Sequence, residues 1–331
     1  MAELREYNFI IDVVGTCQLS CPSCPVGNIG SIDTNSKKIM QPELLNKILT
    51  KAVTECSVRG VFLHNWTEPT LNKHLPELIR IVKSFGIPCH ISTNLNTTKR
   101  FASILLAGLD SLKASVSGFS NEVYQRTHRG GDIEVVKKNM RYLSEIKAEF
   151  KLNTNLNVFY LRYNDNIDDE FLMKAYAEEL GWRFQSAWAQ FMPLEKSLAL
   201  MGDVHANDFI VTDDDKKLLD LLALGYDETL DACKKVKLDW CRLREVEMVL
   251  DSSGDATLCC SVYDAKKYRL GNYLDMPITE IQKQRYDYSI CRSCMQNGFL
   301  ALGLYLAPEI NLIGVKNVLN NYARRLGYSI S

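Results

Sequence analysis

Short apolar runs alternate with amphipathic stretches along residues 8–224. The run over Asn8–Val14 predicts a strand, and apolar residues over Pro42–Val53 recur at the spacing of one helix face. The alternation continues with predicted strands at Val58–Leu63, Pro88–Thr93, Ser111–Ser117, Leu152–Tyr160 and Arg183–Phe191, and predicted helices at Asn72–Phe85, Thr98–Ala107, Asp132–Glu149, Asp168–Leu180 and Asp213–Leu224. Six strand-then-helix units in order predict an α/β fold with a parallel sheet covered by helices.

Two closures of such a sheet are compatible with this pattern, an open doubly wound sheet and a barrel. Both place an active site at the C-terminal ends of the strands. The alternation stops near residue 230. Glu245–Leu250 and Ala256–Cys260 then predict a β-hairpin, and Pro277–Arg285 predicts a short helix. We therefore expect three parts: an α/β domain at 1–230, a small cysteine-bearing unit at 231–298, and a partly helical tail at 299–331 that packs on the core.

Composition places the chain among ordinary globular proteins. Its 331 residues are 46% hydrophobic and 24% charged, and the formal net charge is −1. That balance gives no electrostatic argument for binding nucleic acid or an anionic membrane. The apolar runs are too short to span a bilayer, and Met1–Asn8 lacks the apolar segment of a signal peptide. We expect a cytoplasmic protein with no nucleic-acid or membrane partner.

Three of the eleven cysteines follow the first predicted strand as C-x3-C-x2-C, at Cys17, Cys21 and Cys24. Disulfides are rare in a reducing cytosol, and clustered cysteines there favour metal binding. Three thiolates on a [4Fe–4S] cluster would leave its fourth iron open to another ligand. A zinc knuckle that lacks its fourth ligand is the alternative for this motif. Isolated cysteines such as Cys56 and Cys89 are typical of buried, inert thiols.

Four further cysteines lie in the C-terminal part of the chain. Cys241 precedes the predicted hairpin, Cys259 lies in its second strand, and Cys291 and Cys294 form a C-x2-C pair. Four cysteines suit either an iron–sulfur cluster or a zinc site of four thiolates.

The C-x3-C-x2-C motif resembles the signature of the radical S-adenosylmethionine (SAM) superfamily. The resemblance implies a partial (β/α)6 barrel, with SAM bound to the open iron of the cluster and cleaved to a 5′-deoxyadenosyl radical that abstracts a substrate hydrogen atom. It also implies an external one-electron reductant such as flavodoxin or ferredoxin. Relatives often have an aromatic residue before the last cysteine, near the adenine. Here that residue is Ser23, so the adenine contact has to come from elsewhere.

Strand ends supply the SAM-binding residues that the resemblance implies. Glu68 matches the carboxylate that holds the SAM ammonium group, and Ser92 and Asn94 match the polar strand end at the ribose. Ser115 and Arg129 match the pair at the SAM carboxylate, where the planar guanidinium of arginine suits two parallel hydrogen bonds. Glu68 and Arg129 could instead be surface residues, and Ser115 a buried hydroxyl.

The distal cysteines resemble the opening of the SPASM auxiliary domain in its shortened twitch form. This implies a second [4Fe–4S] cluster ligated by Cys241, Cys259, Cys291 and Cys294, because no cysteine follows Cys294. Such a cluster could accept an electron from a substrate radical, connect the site to the reductant, or order the domain.

The leading functional hypothesis is epimerisation or two-electron oxidation of a carbon centre in a small metabolite or short peptide. In an epimerase, Cys260 would return a hydrogen atom, because its position beside Cys259 on a strand lets it face the substrate. A small substrate is favoured because 16 residues precede Cys17, too few for a leader-binding domain. The alternatives are peptide crosslinking or maturation, a non-catalytic iron–sulfur electron carrier, and a zinc-stabilised binding module.

Overall fold

The computed structural model describes residues 4–28, 38–97, 100–203, 209, 211–236, 238–264 and 266–328. Over those ranges, nine strands form one sheet: β1 (Glu6–Ile11), β2 (Ser57–Phe62), β3 (Cys89–Thr93), β4 (Ser111–Val116), β5 (Asn155–Arg162), β6 (Arg183–Trp188), β7 (Glu247–Leu250), β8 (Asp255–Thr257) and β9 (Arg269–Asn272). The strand order is β6-β5-β4-β3-β2-β1-β7-β8-β9.

Strands β1–β6 pair in parallel, and β7 pairs in parallel with the other edge of β1. β8 and β9 continue the sheet as antiparallel strands. The edge strands β6 and β9 do not pair, so the sheet is an incomplete barrel. This confirms the predicted α/β partial barrel. β7 and β8 confirm the predicted hairpin, whereas β9 was not predicted.

Fifteen helices are described: α1 (Pro25–Asn28), α2 (Pro42–Glu55), α3 (Leu75–Ser84), α4 (Phe101–Leu106), α5 (Asn121–Thr127), α6 (Ile133–Glu149), α7 (Ile167–Glu179), α8 (Leu194–Leu200), α9 (Asp213–Leu221), α10 (Tyr226–Lys234), α11 (Arg242–Val246), α12 (Ile278–Gln284), α13 (Ser289–Gln296), α14 (Phe299–Gly303) and α15 (Glu309–Arg325). Asp132 caps α6 as predicted, its side chain accepting from the Glu134 amide. The predicted helix start at Thr98 lies outside the described residues. No helix in the described ranges is long and apolar enough to cross a membrane.

Alternating burial along the strands separates the core from the barrel interior. In β4, Leu112, Ala114 and Val116 are fully buried, while the residues between them are partly exposed. Successive strand residues point to opposite faces, so the buried set packs under the helices and the other set lines the interior. The main core thus lies between the sheet and α2, α3, α4 and α6.

The C-terminal tail packs against the barrel at β6. Trp188, the last residue of β6, shares a buried cluster with Ile310 and Ile313 of α15 and donates a 3.0 Å hydrogen bond from its indole Nε1 to Asn311 Oδ1. A Cβ at Gly314 would lie 2.4 Å from the Trp188 ring, so glycine permits this close approach. The division of the chain at residues 230 and 298 stays a prediction.

Candidate functional site

The C-terminal ends of β2–β6 and the loop after β1 surround a cavity of about 490 Å³. This volume falls in the usual range of small-molecule sites. The cavity is lined by thiols, polar strand ends and aromatic side chains, among them Cys17, Cys21, Ser23, Cys24, His64, Glu68, Ser92, Asn94, Lys113, Ser115, His128, Phe159, Leu161, Tyr163, Trp188 and Tyr305. The cysteine motif and most of the predicted SAM-binding residues therefore share one space.

The cysteine loop is held by its own backbone and by its neighbours. The Leu19 amide donates to Cys17 Sγ at 3.4 Å, and the Asn94 side chain donates to the same sulfur at 3.6 Å. In α1, a Cβ at Gly27 would lie 2.5 Å from the backbone nitrogen of Cys21, so this glycine lets the helix close tightly on the loop. Contacts within the protein therefore define the conformation of the cysteine loop.

Three thiols on one wall of a cavity are the donor set of a cluster that keeps one iron open. Burial raises the pKa of Cys17 to about 12 and that of Cys24 to about 11. The free thiols are therefore protonated, and iron binding has to release their protons. Within the described ranges, no three Cys, His, Asp or Glu side chains converge as the ligands of a single ion would. The donor chemistry fits a cluster, whose ligands are distributed over several irons.

A buried ion pair anchors the far end of the cysteine loop. Lys196 of α8 and Asp215 of α9 lie 2.9 Å apart, with side chains only 4% and 1% exposed. Lys196 Nζ also donates to the carbonyl of Asn28 at 3.0 Å, and Asn28 Nδ2 donates to Asp215 and to the Pro22 carbonyl. No local sequence pattern predicts this network, because its members lie far apart along the chain.

Glu68 is buried and faces the cavity. Its Oε1 accepts from the amide and hydroxyl of Thr70 and from the hydroxyl of Thr93 at 2.7 Å, and its Oε2 accepts from the Asn94 amide at 2.9 Å. Burial raises the pKa of Glu68, and these hydrogen bonds act against that rise. Among the described residues, Oε2 accepts a single hydrogen bond, so it retains acceptor capacity for a cation in the cavity.

Asp12 fixes the loop that carries Glu68. Its carboxylate accepts from the backbone amides of Asn65, Trp66 and Thr67 at 3.0–3.1 Å and from the Thr67 hydroxyl at 2.6 Å. These hydrogen bonds hold the backbone that leads from β2 to Glu68. Sequence reasoning missed Asp12, although a lone carboxylate inside an apolar strand run was a usable signal.

The polar strand ends differ in how they are engaged. Ser92 and Ser115 line the cavity, and their contact with SAM stays a prediction. Asn94 also lines it, but its side-chain oxygen accepts from Gln18 Nε2 at 2.9 Å while its amide nitrogen donates to Cys17. Asn94 therefore links the third strand to the cysteine loop.

The structure places Arg129 outside the cavity. Its guanidinium is half exposed and pairs with Asp214 at 2.9 Å. Its neighbour His128 faces the cavity instead, stacked on Tyr124 and within 2.7 Å of the Ser117 hydroxyl. Burial lowers the pKa of His128 to about 4, so the imidazole is neutral at pH 7. The expected contact between Arg129 and the SAM carboxylate does not match this geometry.

The far wall of the cavity is apolar and aromatic. Phe159 and Leu161 of β5 and Trp188 of β6 form it, and Tyr305 closes it from the tail by donating to the Trp188 carbonyl at 2.6 Å. The Tyr163 hydroxyl contacts Ser23 across the cysteine loop. These rings supply apolar surface where Ser23 cannot.

Comparison with known proteins agrees with this geometry. The Radical SAM superfamily profile matches residues 11–172, the segment that carries the cysteine motif and the cavity-lining ends of β2–β5. The chain belongs to the radical SAM superfamily. That family implies SAM, a [4Fe–4S] cluster and an external reductant.

Curated relatives of this radical SAM chain include two archaeal proteins named "Probable GTP 3′,8-cyclase". The protein from Methanococcus maripaludis is 28% identical over 198 residues, which is 59% of this chain and 62% of that protein. The protein from Methanocaldococcus jannaschii is 27% identical over 191 residues, 57% of this chain and 60% of that protein. The chain thus spans about three fifths of the length of the curated relatives it matches.

Solved structures share the fold. SuiB of Streptococcus suis, bound to precursor peptide SuiA, aligns with a TM-score of 0.58 at 14% identity, covering 88% of this chain and 67% of SuiB. The enzyme anSMEcpe with bound AdoMet aligns with a TM-score of 0.54 at 17% identity, covering 87% of this chain and 79% of that one. At such low identities the likeness shows the fold alone.

The radical SAM chain also brings its four distal cysteines together. Cys241 directly precedes α11, Cys259 follows β8, and Cys291 and Cys294 lie one turn apart on α13. The four thiols are close enough to influence one another electrostatically, which contributes to a raised pKa at Cys241, Cys291 and Cys294, although burial is the larger cause. The four thiols therefore lie near one another, although they do not converge as the ligands of a single ion would.

Arg285 places a positive charge beside these thiols. The side chain is 1% exposed and donates to the carbonyl oxygens of Leu258 at 2.9 Å, Arg244 at 3.0 Å and Glu247 at 2.6 Å. A hydrogen bond from Cys260 is the main cause that lowers the pKa of Cys259, and the charge of Arg285 lowers it further. A buried guanidinium is expected next to a negatively charged group, and deprotonated thiols would supply that charge.

Cys260 lies with the distal cysteines and not with the substrate cavity. It is not among the described residues that line the cavity, and its thiol faces Cys259 and the buried Glu247 carboxylate. The expectation that Cys260 faces the substrate is therefore not matched by this geometry. Strand β8 ends at Thr257, so the alternation of strand side chains does not extend to Cys259 and Cys260.

Proposed function

We propose that this radical SAM enzyme abstracts a hydrogen atom from a small polar metabolite or short peptide and leaves the product oxidised by two electrons. The observation that carries the proposal is the shared cavity, which combines three thiols, a buried carboxylate at Glu68 and an aromatic wall. A non-catalytic electron carrier or a zinc-stabilised binding module has no need of such a cavity.

Residues of the cavity have distinct roles in this proposal. Cys17, Cys21 and Cys24 hold the cluster, and Glu68 Oε2 accepts from the SAM ammonium group. When bound, the cluster and SAM supply the radical that removes the substrate hydrogen atom. Ser92, Asn94 and Ser115 offer polar contacts at the same strand ends. The aromatic wall excludes water, which would otherwise compete for the polar contacts.

The auxiliary site supports oxidation. We propose that Cys241, Cys259, Cys291 and Cys294 ligate a second [4Fe–4S] cluster, in a unit of the SPASM or twitch type, and that it supplies the electron acceptor. The substrate radical then loses one electron and one proton, and a carbon–oxygen or carbon–nitrogen single bond becomes double. Arg285 would stabilise the reduced, more negative state of such a centre.

Epimerisation is disfavoured by the arrangement of thiols. An epimerase has to return a hydrogen atom to the substrate radical, and a thiol is a suitable donor. Among the described cavity-lining residues, the cysteines are Cys17, Cys21 and Cys24, which the proposal assigns to iron.

Cys260→Ala is accordingly expected to retain both iron sites and product formation. The change removes a thiol that lies outside the cavity, so the rate of product formation should stay within about twofold, a difference well under 1 kcal/mol. The measurement is product formation in deuterated water. Loss of turnover in Cys260→Ala, together with solvent deuterium on the wild-type product carbon, would restore the epimerase hypothesis.

Glu68→Gln is expected to weaken SAM binding by about 1.5–3 kcal/mol, the usual scale of a hydrogen bond to a charged group, while iron content stays unchanged. Equilibrium binding of SAM to the reconstituted protein provides the measurement. Thr93→Val is the matched control, because it removes one hydrogen bond to Oε1 without changing the charge. An equal loss of affinity in both variants would assign Glu68 a structural role only.

Substrate oxidation can be tested by isotope tracing. The reconstituted enzyme is supplied with reductant, SAM and a panel of small alcohols, amines and short peptides deuterated at carbon. The proposal predicts deuterium in 5′-deoxyadenosine and a product that lacks two hydrogen atoms. A product of unchanged composition with inverted stereochemistry, or a crosslinked peptide, would favour the other reactions.

A further inference from the structure

Lys113 projects into the interior of the barrel. It lies two positions before Ser115 on β4, so both side chains are on the same face of the sheet, and both line the cavity. Its pairing partners are Ser92 of β3 and Asn157 of β5, which places it below the rim where the cysteines lie. Lys113 is therefore positioned to contact a ligand deep in the cavity.

Within the described ranges, Lys113 has neither a carboxylate partner nor a hydrogen bond. Its ammonium group lies 4.9 Å from the centroid of the Phe159 ring. Burial lowers the pKa of Lys113, because no anion compensates for lost hydration. Lys196, which is more deeply buried than Lys113, has Asp215 at 2.9 Å. Charges withdrawn from water in proteins are normally paired, so a partly buried lysine that faces a cavity without a partner among the described residues indicates a missing anion.

Neighbouring groups do not supply that anion. Burial lowers the pKa of His64 to about 3, and the nearby charge of Lys113 acts in the same direction. His64 is therefore neutral. Glu68 is the acidic residue among those described around the cavity, and it forms no ion pair with Lys113. The negative charge has to come with a ligand.

We infer that Lys113 is a specificity-determining residue that binds a single carboxylate or phosphate group of the substrate. The inference rests on the proposed function, because it assumes that the substrate enters this cavity. Lys113 is the one Lys or Arg among the described lining residues, so the site suits one anionic group and not a triphosphate, which needs several cations. The nucleotide named in the curated relatives is therefore a poor match to this cavity.

The SAM carboxylate has the same chemistry and is the competing ligand. If Lys113 holds SAM, Lys113→Met should weaken equilibrium SAM binding by roughly tenfold or more, the scale of one charge-assisted hydrogen bond. Our inference predicts a change of less than about twofold, with Lys113→Arg as a second variant that keeps the charge. Iron content and circular dichroism establish that each variant is folded. Tenfold weakening in Lys113→Met that Lys113→Arg restores would overturn the inference.

Chemical labelling tests the anion directly in the wild-type holoenzyme with SAM bound. Reductive methylation with formaldehyde is followed by mass spectrometry at Lys113 and at Lys217, an exposed control lysine. Acetate or inorganic phosphate should slow methylation of Lys113 several-fold, whereas acetamide should not, and Lys217 should be unaffected. Equal rates with every additive would contradict the inference. Neither assay uses turnover, so failure of the oxidation proposal would be seen separately.

Discussion

Replacing Cys17, Cys21 and Cys24 together by alanine is expected to lower the iron content from about eight to about four atoms per chain and to abolish SAM cleavage. The remaining iron would belong to the proposed distal cluster, whose cysteines are Cys241 beside α11, Cys259 after β8, and Cys291 and Cys294 on α13. Iron, sulfide and zinc are measured after anaerobic reconstitution.

Cys56→Ala provides the control for this prediction. Cys56 is a buried thiol at the end of α2, where it donates to the carbonyl of Ala52. Its removal should leave both iron content and SAM cleavage unchanged. A wild-type protein that binds zinc and no sulfide would contradict both cluster assignments. Retention of all iron in the triple variant would contradict the first.

Lys196→Met is expected to destabilise the protein by about 3–5 kcal/mol, because it leaves the Asp215 carboxylate buried without its partner. The change also removes the hydrogen bond to the Asn28 carbonyl, at the end of the cysteine loop. The double variant Lys196→Met, Asp215→Leu should recover most of this loss, since no unpaired charge remains. The shift of the urea midpoint of the metal-free protein, with its slope, gives the measurement.

Lys216→Met is the matched control on the same helix as Asp215. Lys216 pairs with Asp213 at 2.9 Å, but both side chains are mostly exposed. Such a surface pair contributes little to stability, because water screens both charges. Equal destabilisation by Lys196→Met and Lys216→Met would show that the buried pair has no special role in holding the loop.

Local patterns were enough to predict much of the barrel. Strands β1, β3, β4 and β5 bury alternate residues against helices, so apolar residues mark them in the sequence. β9 escaped prediction because Arg269–Asn272 has four residues and one buried side chain, Leu270. The predicted strand Ala256–Cys260 ends earlier than expected, at Thr257, and this changes where Cys260 points.

The candidate site likewise contains residues that local patterns predict and residues that they do not. Cys17, Cys21, Cys24 and Glu68 belong to short motifs next to strand ends, so topology alone brings them to one cavity. The side-chain direction of Arg129 depends on Asp214, 85 residues later in the chain. No local pattern reports such a partner, and the cavity position falls to His128. The role of Lys113 could not be predicted either, because a lysine in a predicted strand has no distinguishing feature until its surroundings are known.

SAM turnover by the reconstituted wild-type protein tests the central claim most directly. The protein is incubated anaerobically with SAM and a one-electron reductant, and 5′-deoxyadenosine and methionine are quantified beside the variant that lacks Cys17, Cys21 and Cys24. We predict equal amounts of the two products from the wild type and none above background from the variant. A wild-type protein that contains both clusters and SAM yet forms no 5′-deoxyadenosine would contradict the account.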